Sequence, residues 1–199
     1  MRKEQAIKER AVAELVAQLG RLAYGVGFTQ GLTSAQWMAL RYFSRANRFS
    51  RTVSAFAEYH ATTRGTASQT VKSLVDRGYL SRTPSVTDGR SVRLDVTYKA
   101  RAVLADDPLA ALERAVRALA PRARAYLAGS LERLLGQLAN ERGKRLFGIC
   151  TACKHLDCLE GEGCRTEGGP VFECALWGEP LDEAETEQLC VSFERGSPK

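Results

Sequence analysis

Apolar residues recur at helical spacing through most of the first two-thirds of the chain. Between Glu4 and about Gly25, Ala11, Leu15, Val16, Leu19, Leu22 and Ala23 share one face, which predicts a long amphipathic helix. A second helix opens in Leu32-Thr33-Ser34-Ala35-Gln36-Trp37. Thr33 suits an N-cap, Gln36 three residues on completes a capping box, and Met38, Leu40, Tyr42 and Phe43 follow. Ser50 to His60, with Val53, Phe56 and Ala57, predicts a short third helix. Arg64 to Asp76, with Ala67, Val71, Leu74 and Val75 on its buried side, predicts a fourth that ends at Gly78.

The period then changes. Tyr79 to Thr83 reads as a short strand, Pro84 to Gly89 as a turn, and Val92, Leu94 and Val96 alternate as a second strand, with Asp88-Gly89-Arg90 near the hairpin tip. Helical spacing resumes at Leu104 and runs through Leu109, Leu112, Val116 and Leu119. It breaks at Pro121 and restarts as Leu127, Leu131, Leu134, Leu135 and Leu138. The predicted fold class is mainly α with a small β-hairpin wing. Two short helices followed by a hairpin is the order of a winged helix-turn-helix, whose second helix enters a major groove.

Composition and charge narrow the function. A chain of 199 residues with 44% hydrophobic content can bury a core. No apolar run reaches the roughly 20 residues a spanning helix needs, and Met1-Arg2-Lys3-Glu4-Gln5 opens a charged amphipathic stretch rather than a signal peptide. A cytoplasmic protein with no membrane partner is expected. The net charge of +6 is uneven, with 4 Lys/Arg against 11 Asp/Glu in residues 150–199 and therefore 25 against 12 before them. A basic body points to a polyanion, double-stranded DNA first, while the acidic tail is repelled by phosphate. Two distant histidines and no Ser/His/Asp arrangement argue against a hydrolytic enzyme. One of them, His60, sits at a turn, where a packed side chain is the ordinary reading.

Several short motifs together resemble the MarR family of bacterial transcriptional regulators. They are Leu32-Thr33-x-x-Gln36-Trp37, the run Thr63 to Leu74, Arg77-Gly78-Tyr79-Leu80, Asp88-x-Arg90 and Val96-Thr97-x-Lys99. The resemblance covers about residues 5 to 139 and implies a homodimer, usually a repressor, that holds two winged domains over operator DNA. The apolar stripes of the first helix and of Leu109 to Leu138 would supply the dimer interface. Thr63, Arg64, Thr66, Ser68, Gln69, Lys72 and Ser73 carry donors or acceptors opposite Val71 and Leu74. Arg64 and Gln69 suit base edges, and Thr63, Ser68, Lys72 and Ser73 suit phosphates. Asp88 and Arg90 match the family's wing positions, with Arg90 entering the minor groove and Asp88 bracing the hairpin. Family members often bind small aromatic effectors at the dimer cleft. Tyr59-His60-Ala61-Thr62 replaces the family's usual turn of leucine and glycine.

All six cysteines lie in the last fifty residues: Cys150, Cys153, Cys158, Cys164, Cys174 and Cys190. The division expected is 1–145, a winged domain with dimerisation helices, and 146–199, a small Cys-rich module. A C-x-x-C pair lets two thiolates reach one centre from a tight turn, and later single cysteines can close the shell. Clustered cysteines in the cytoplasm are more often ligands or redox sensors than staples. Cys150, Cys153, Cys174 and Cys190 are the favoured ligands, because Val171, Phe172, Leu176, Trp177, Leu189, Val191 and Phe193 can wall a centre from water. Cys158 and Cys164 lie in an acidic, Gly-rich stretch and form with Cys150 and Cys153 the rival set. The spacing also resembles that of high-potential iron–sulfur proteins, so an iron–sulfur cluster is expected, with zinc and a metal-free thiol switch as alternatives. His155 could replace one cysteine.

The function expected is a transcriptional regulator whose cluster adjusts operator binding to redox state, oxygen, nitric oxide or iron. A cluster beside the last dimer helix would act on the separation of the recognition helices. Two other functions remain open: an iron–sulfur electron carrier, and a regulator with a purely structural zinc site.

Overall fold

The computed structural model describes residues 2–24, 30–84, 92–158 and 172–196. Helix α1 (Arg2–Tyr24) leads into α2 (Ser34–Arg45), whose start is the expected capping box. Thr33 accepts from the Gln36 backbone N–H, and the Gln36 side chain accepts from Thr33 N–H. Helix α3 (Val53–Tyr59) is shorter than the periodicity predicts. Thr52 caps it, and Ser50 belongs to the preceding turn. Helix α4 (Arg64–Asp76) is capped by Thr63 and ends at Gly78, which takes φ +73°. Strands β1 (Leu80–Pro84) and β2 (Val92–Val96) pair antiparallel from Leu80↔Val96 to Pro84↔Val92. Pro84 thus ends a strand rather than beginning the turn, and the predicted tip lies outside the described residues.

Helix α5 (Tyr98–Leu104) starts directly after the hairpin, capped by Thr97, whereas the apolar spacing predicts helix only from Leu104. The chain turns through Pro108 before α6 (Ala110–Arg117), and Pro121 opens α7 (Pro121–Glu141) as an N1 residue. The core gathers Leu32, Trp37, Leu40 and Phe43 from α2 and its approach, Phe56 from α3, Val71 and Leu74 from α4, and Leu94 from β2. Arg41, itself buried, donates through Nε to Asp107 Oδ2 at 2.7 Å and ties α2 to the α5–α6 corner. This is the mostly helical winged helix fold that the sequence predicts.

Helices α1 and α7 leave apolar side chains uncovered: Leu15 and Leu22 on the first, Leu127, Leu131 and Leu135 on the second. No helix among the described residues is long and apolar enough to cross a membrane.

Beyond α7 the chain makes short strands that periodicity could not show. Strand β3 (Gly148–Ile149) runs into a 3₁₀ turn, Cys150–Ala152, and β4 (Leu156–Cys158) follows. Strand β5 (Phe172–Cys174) lies between β4 and β6 (Glu179–Leu181) in an antiparallel sheet. A one-turn helix α8 (Glu183–Thr186) then leads to β7 (Leu189–Cys190), which pairs with β3. Leu189 belongs to the same hydrophobic core as Trp37 and Phe43, with Phe147 and Val191 packed against it. The module is therefore built onto the winged domain.

Ala61, in the turn between α3 and α4, takes φ +49°, the left-handed region that disfavours a Cβ. It lies in Tyr59 to Thr62, the segment where the MarR resemblance implies a turn of leucine and glycine. Ala61→Gly is expected to stabilise the protein by about 1 kcal/mol in urea unfolding, because relief of the steric clash outweighs the added freedom of the unfolded chain.

Candidate nucleic-acid interface and thiol site

Helix α4 presents its polar face to solvent. Thr63, Arg64, Thr66, Ser68, Gln69 and Lys72 are exposed, while Ala67, Val71 and Leu74 are buried. Ser73 is half-buried, and its hydroxyl accepts from Gln36 Nε2 at 2.9 Å, so it fixes α4 against α2. Thr63 Oγ1 likewise accepts from the Thr66 backbone N–H at 3.2 Å as the N-cap. Asp88 and Arg90 lie outside the described residues.

The base of the wing is braced by a charge network whose role no single motif reveals. Asp95 on β2 accepts from Arg51 Nη1 at 2.8 Å, from Arg93 Nε at 3.0 Å and from the Thr83 hydroxyl at 2.8 Å. Burial works against the Asp95 carboxylate, but these donors prevail and hold its pKa below the ordinary value. Arg51 also donates to Ala46 O at 2.8 Å, and its own carbonyl accepts from Leu94 N–H. The turn before α3 is thereby joined to the wing.

Four free cysteines border one pocket in the module: Cys150 and Cys153 at the two ends of the 3₁₀ turn, Cys174 at the end of β5 and Cys190 at the end of β7. The Cys153 N–H donates to Cys150 O at 2.8 Å and keeps the C-x-x-C turn tight. Leu156, Leu176, Trp177 and Leu181 line the same pocket. Burial first, then the neighbouring thiols of Cys190, Cys153 and Cys174, push the Cys150 thiol up to about 12. Burial also raises Cys190, against hydrogen bonds from the Asn47 side chain, the Ser192 backbone and the Ser50 side chain. A thiolate out of water needs a cation beside it. The donor set and the apolar wall fit a metal centre in chemistry. Among the described residues, however, no group of three or more His, Cys, Asp or Glu side chains is placed to hold a single metal ion.

Cys158 stands apart because it is disulfide-bonded. Cys164 lies outside the described residues. His155 also lines the pocket, but its Nε2 is 3.1 Å from Glu194 Oε1, whose other oxygen takes Lys154 Nζ at 2.6 Å. His60 packs edge-on against Phe56 and Tyr59, each at 4.9 Å, and burial holds its pKa below the ordinary value. It borders a second cleft with Tyr24, Met38, Arg41, Arg45 and Leu189.

Sequence reasoning missed Asn47 and Ser50. Polar residues in a turn are the commonest kind, and only the fold reveals that both are buried.

A family model described as the MarR family matches residues 30–91, which span α2 to the wing. Among solved structures, a MarR transcriptional regulator from Methanosarcina mazei Go1 is 24% identical with a TM-score of 0.52. The match covers 68% of this chain and 98% of that one. A MarR/EmrR family regulator from Acinetobacter sp. ADP1 is 18% identical with a TM-score of 0.54, over 67% and 98% of the two chains. CouR from Rhodococcus jostii RHA1, solved bound to p-coumaroyl-CoA, is 17% identical with a TM-score of 0.53, over 62% and 90%. No curated protein matches the chain. The fold is that of MarR transcriptional regulators, and about a third of this chain lies outside the matched portion.

Gly148 sets the spacing of β3 beneath the thiol pocket. A Cβ there would lie 2.7 Å from the ring of the buried Phe193. Gly148→Ala is expected to destabilise the protein by about 1–3 kcal/mol in urea unfolding, as overpacking does.

Proposed function

We propose that this chain is a DNA-binding transcriptional regulator of the MarR kind whose operator binding is adjusted by a metal centre on Cys150, Cys153, Cys174 and Cys190. The observation that carries the reading is the meeting of four free thiols in one pocket, on a module whose Leu189 enters the core of the winged domain. The exposed polar face of α4 supplies the DNA contacts, with Arg64 and Gln69 at base edges and Thr63, Ser68 and Lys72 at phosphates. The uncovered apolar faces of α1 and α7 support a homodimer, as water contact at those leucines is relieved by a second copy.

An iron–sulfur cluster is the favoured centre. The four thiols share one pocket, and a C-x-x-C pair followed by two well-separated single cysteines differs from the two paired knuckles usual in structural zinc sites. When bound, such a cluster supplies a one-electron centre sensitive to oxygen, nitric oxide and iron supply. The chain's own part is to hold the four sulfurs and keep water away with Leu156, Leu176 and Leu181. A small-molecule effector is a second reading, supported by the cleft where Arg45 and His60 meet Tyr24 and Leu189.

Two experiments test this. Anaerobically purified protein is expected to be brown, with iron and sulfide in matched amounts, and colourless protein with one zinc per chain overturns the cluster in favour of structural zinc. Duplex binding is expected to weaken steeply with salt. Lys72→Ala should reduce the salt slope by about 1, and Arg64→Ala should cost about 1–3 kcal/mol with relaxed specificity. Absence of duplex binding would turn the reading to an electron carrier.

A further inference from the structure

The turn between α2 and α3 is held by the C-terminal module over residues 46–50. Ala46 bridges Leu189 in parallel, and Asn47 N–H donates to Leu189 O at 2.9 Å. Arg48 pairs with Glu185 at 3.1 Å and donates to Pro180 O. Phe49 stacks on Trp177 at 5.2 Å and packs against the cluster of Cys150, Cys174 and Leu181. Ser50, fully buried, accepts through Oγ from Val191 N–H at 2.8 Å.

The next residue, Arg51, faces the wing instead. Its Nη1 donates to Asp95 Oδ1 at 2.8 Å, its carbonyl accepts from Leu94 N–H at 2.9 Å, and its Nε closes back on Ala46 O at 2.8 Å. Asp95 Oδ2 accepts from Thr83 on β1 and from Arg93 on β2, so one carboxylate joins both strands to the turn. A two-stranded ribbon is marginal on its own in water and takes its direction from what it packs on. On one face, β1 and β2 rest on the core through the buried Leu80 and Leu94. Strand alternation puts Thr83, Arg93 and Asp95 on the opposite face, where Arg51 ties the ribbon to the body of the domain. A five-residue strand extends about 17 Å, so a tilt of about 10° at its base moves the far end by about 3 Å, the length of a hydrogen bond.

We propose that Arg51 is a positioning residue for DNA binding, which touches no DNA itself and aims the wing from a turn that the C-terminal module holds in place. The proposal rests on the reading that the winged domain binds duplex DNA, and it is independent of what the four thiols hold. The hairpin is the element that reaches the groove beside the one α4 enters, as the MarR resemblance implies. Arg51 Nε and Nη1 are both committed within the domain, whereas Arg64 and Lys72 on α4 are exposed. Helix α4 has its own supports, with Ala67, Val71 and Leu74 in the core and Ser73 bonded to Gln36. The acidic module is repelled by phosphate, so its contribution is mechanical. With residues 46–50 held, Arg51 has a fixed base from which to set the angle of β1 and β2, and loss of that base leaves α4 seated and the wing misdirected.

The test uses the full chain and a duplex that it recovers from a random-sequence pool. Guanine N7 methylation reads the major groove under α4, and hydroxyl-radical cleavage reads the minor-groove side that the wing reaches. Arg51→Met is expected to lower duplex affinity about tenfold, the size of one lost groove contact, with the wing's protections weakened, those of α4 kept and the salt slope unchanged. Arg51→Lys keeps the charge without the planar fork and should behave in the same way. A wild-type footprint in Arg51→Lys, or a parallel loss of both protections in Arg51→Met, overturns the positioning role. Without DNA, hydrogen exchange in residues 80–84 and 92–96 should quicken in Arg51→Met, in Arg48→Ala and in Ser50→Ala, while residues 64–76 keep the wild-type rate. Arg48 is half-buried, so Arg48→Ala carries this arm if the fully buried Ser50→Ala fails to fold. Unchanged ribbon exchange in the folded turn variants overturns the module's part. Wild-type protein that recovers no duplex overturns the DNA-binding reading and this proposal together, whereas failure of the proposal alone leaves wild-type binding intact.

Discussion

Two polar side chains are taken wholly out of water where the winged domain meets the module, and that burial constrains everything around them. A polar group left unpaired out of water costs about 1–3 kcal/mol, so the Ser50 hydroxyl, which accepts from Val191 N–H, and the Asn47 backbone N–H, which donates to Leu189 O, tie this turn to the Leu189 to Val191 backbone. Leu189 fills the core at the same point. Polar pairing and apolar packing thus fix one register of β7 against the turn. That register in turn sets β3, through Gly148↔Cys190, and the position of the C-x-x-C turn that follows.

The same seam relates the two electrostatic halves of the chain. Basic residues crowd the winged part and acidic ones the module, and where they touch the pairing is specific: Arg48 donates to the carboxylate of Glu185 and to the carbonyl of Pro180. Acidic surface is held beside the turn through Glu179 and Glu185, while the polar face of α4 remains open.

Elements with a local cause were legible in the sequence. The capping box at Thr33 and Gln36, the span of α4 and the alternation of β2 each depend on residues within a few positions of one another, and each stands where the pattern put it. Helix α3 begins later than its periodicity implied, because Ser50 is committed to a contact 141 residues away. Helix α5 was hidden because Thr97, Tyr98 and Lys99 read as the end of a hairpin. The module's strands are two or three residues long and exist only by pairing with distant partners, beyond the reach of any period. The four cysteines were singled out from their apolar neighbours. Asn47 and Ser50 were not, since nothing in Asn47-Arg48-Phe49-Ser50 distinguishes it from an ordinary polar turn.

Leu189 has a consequence for how such a chain could arise or be taken apart. A tail tethered by a linker can be exchanged between proteins as a cassette, since its loss leaves the host intact. Here the tail donates a leucine to the host's interior, and the host lends the tail the Ser50 hydroxyl and the Asn47 backbone N–H. Neither half is complete alone, so recombination at residue 146 would deliver two damaged halves. A viable exchange must carry the turn from Ala46 to Arg51 along with the cysteines, which makes these six residues, far away in sequence, part of the same heritable unit.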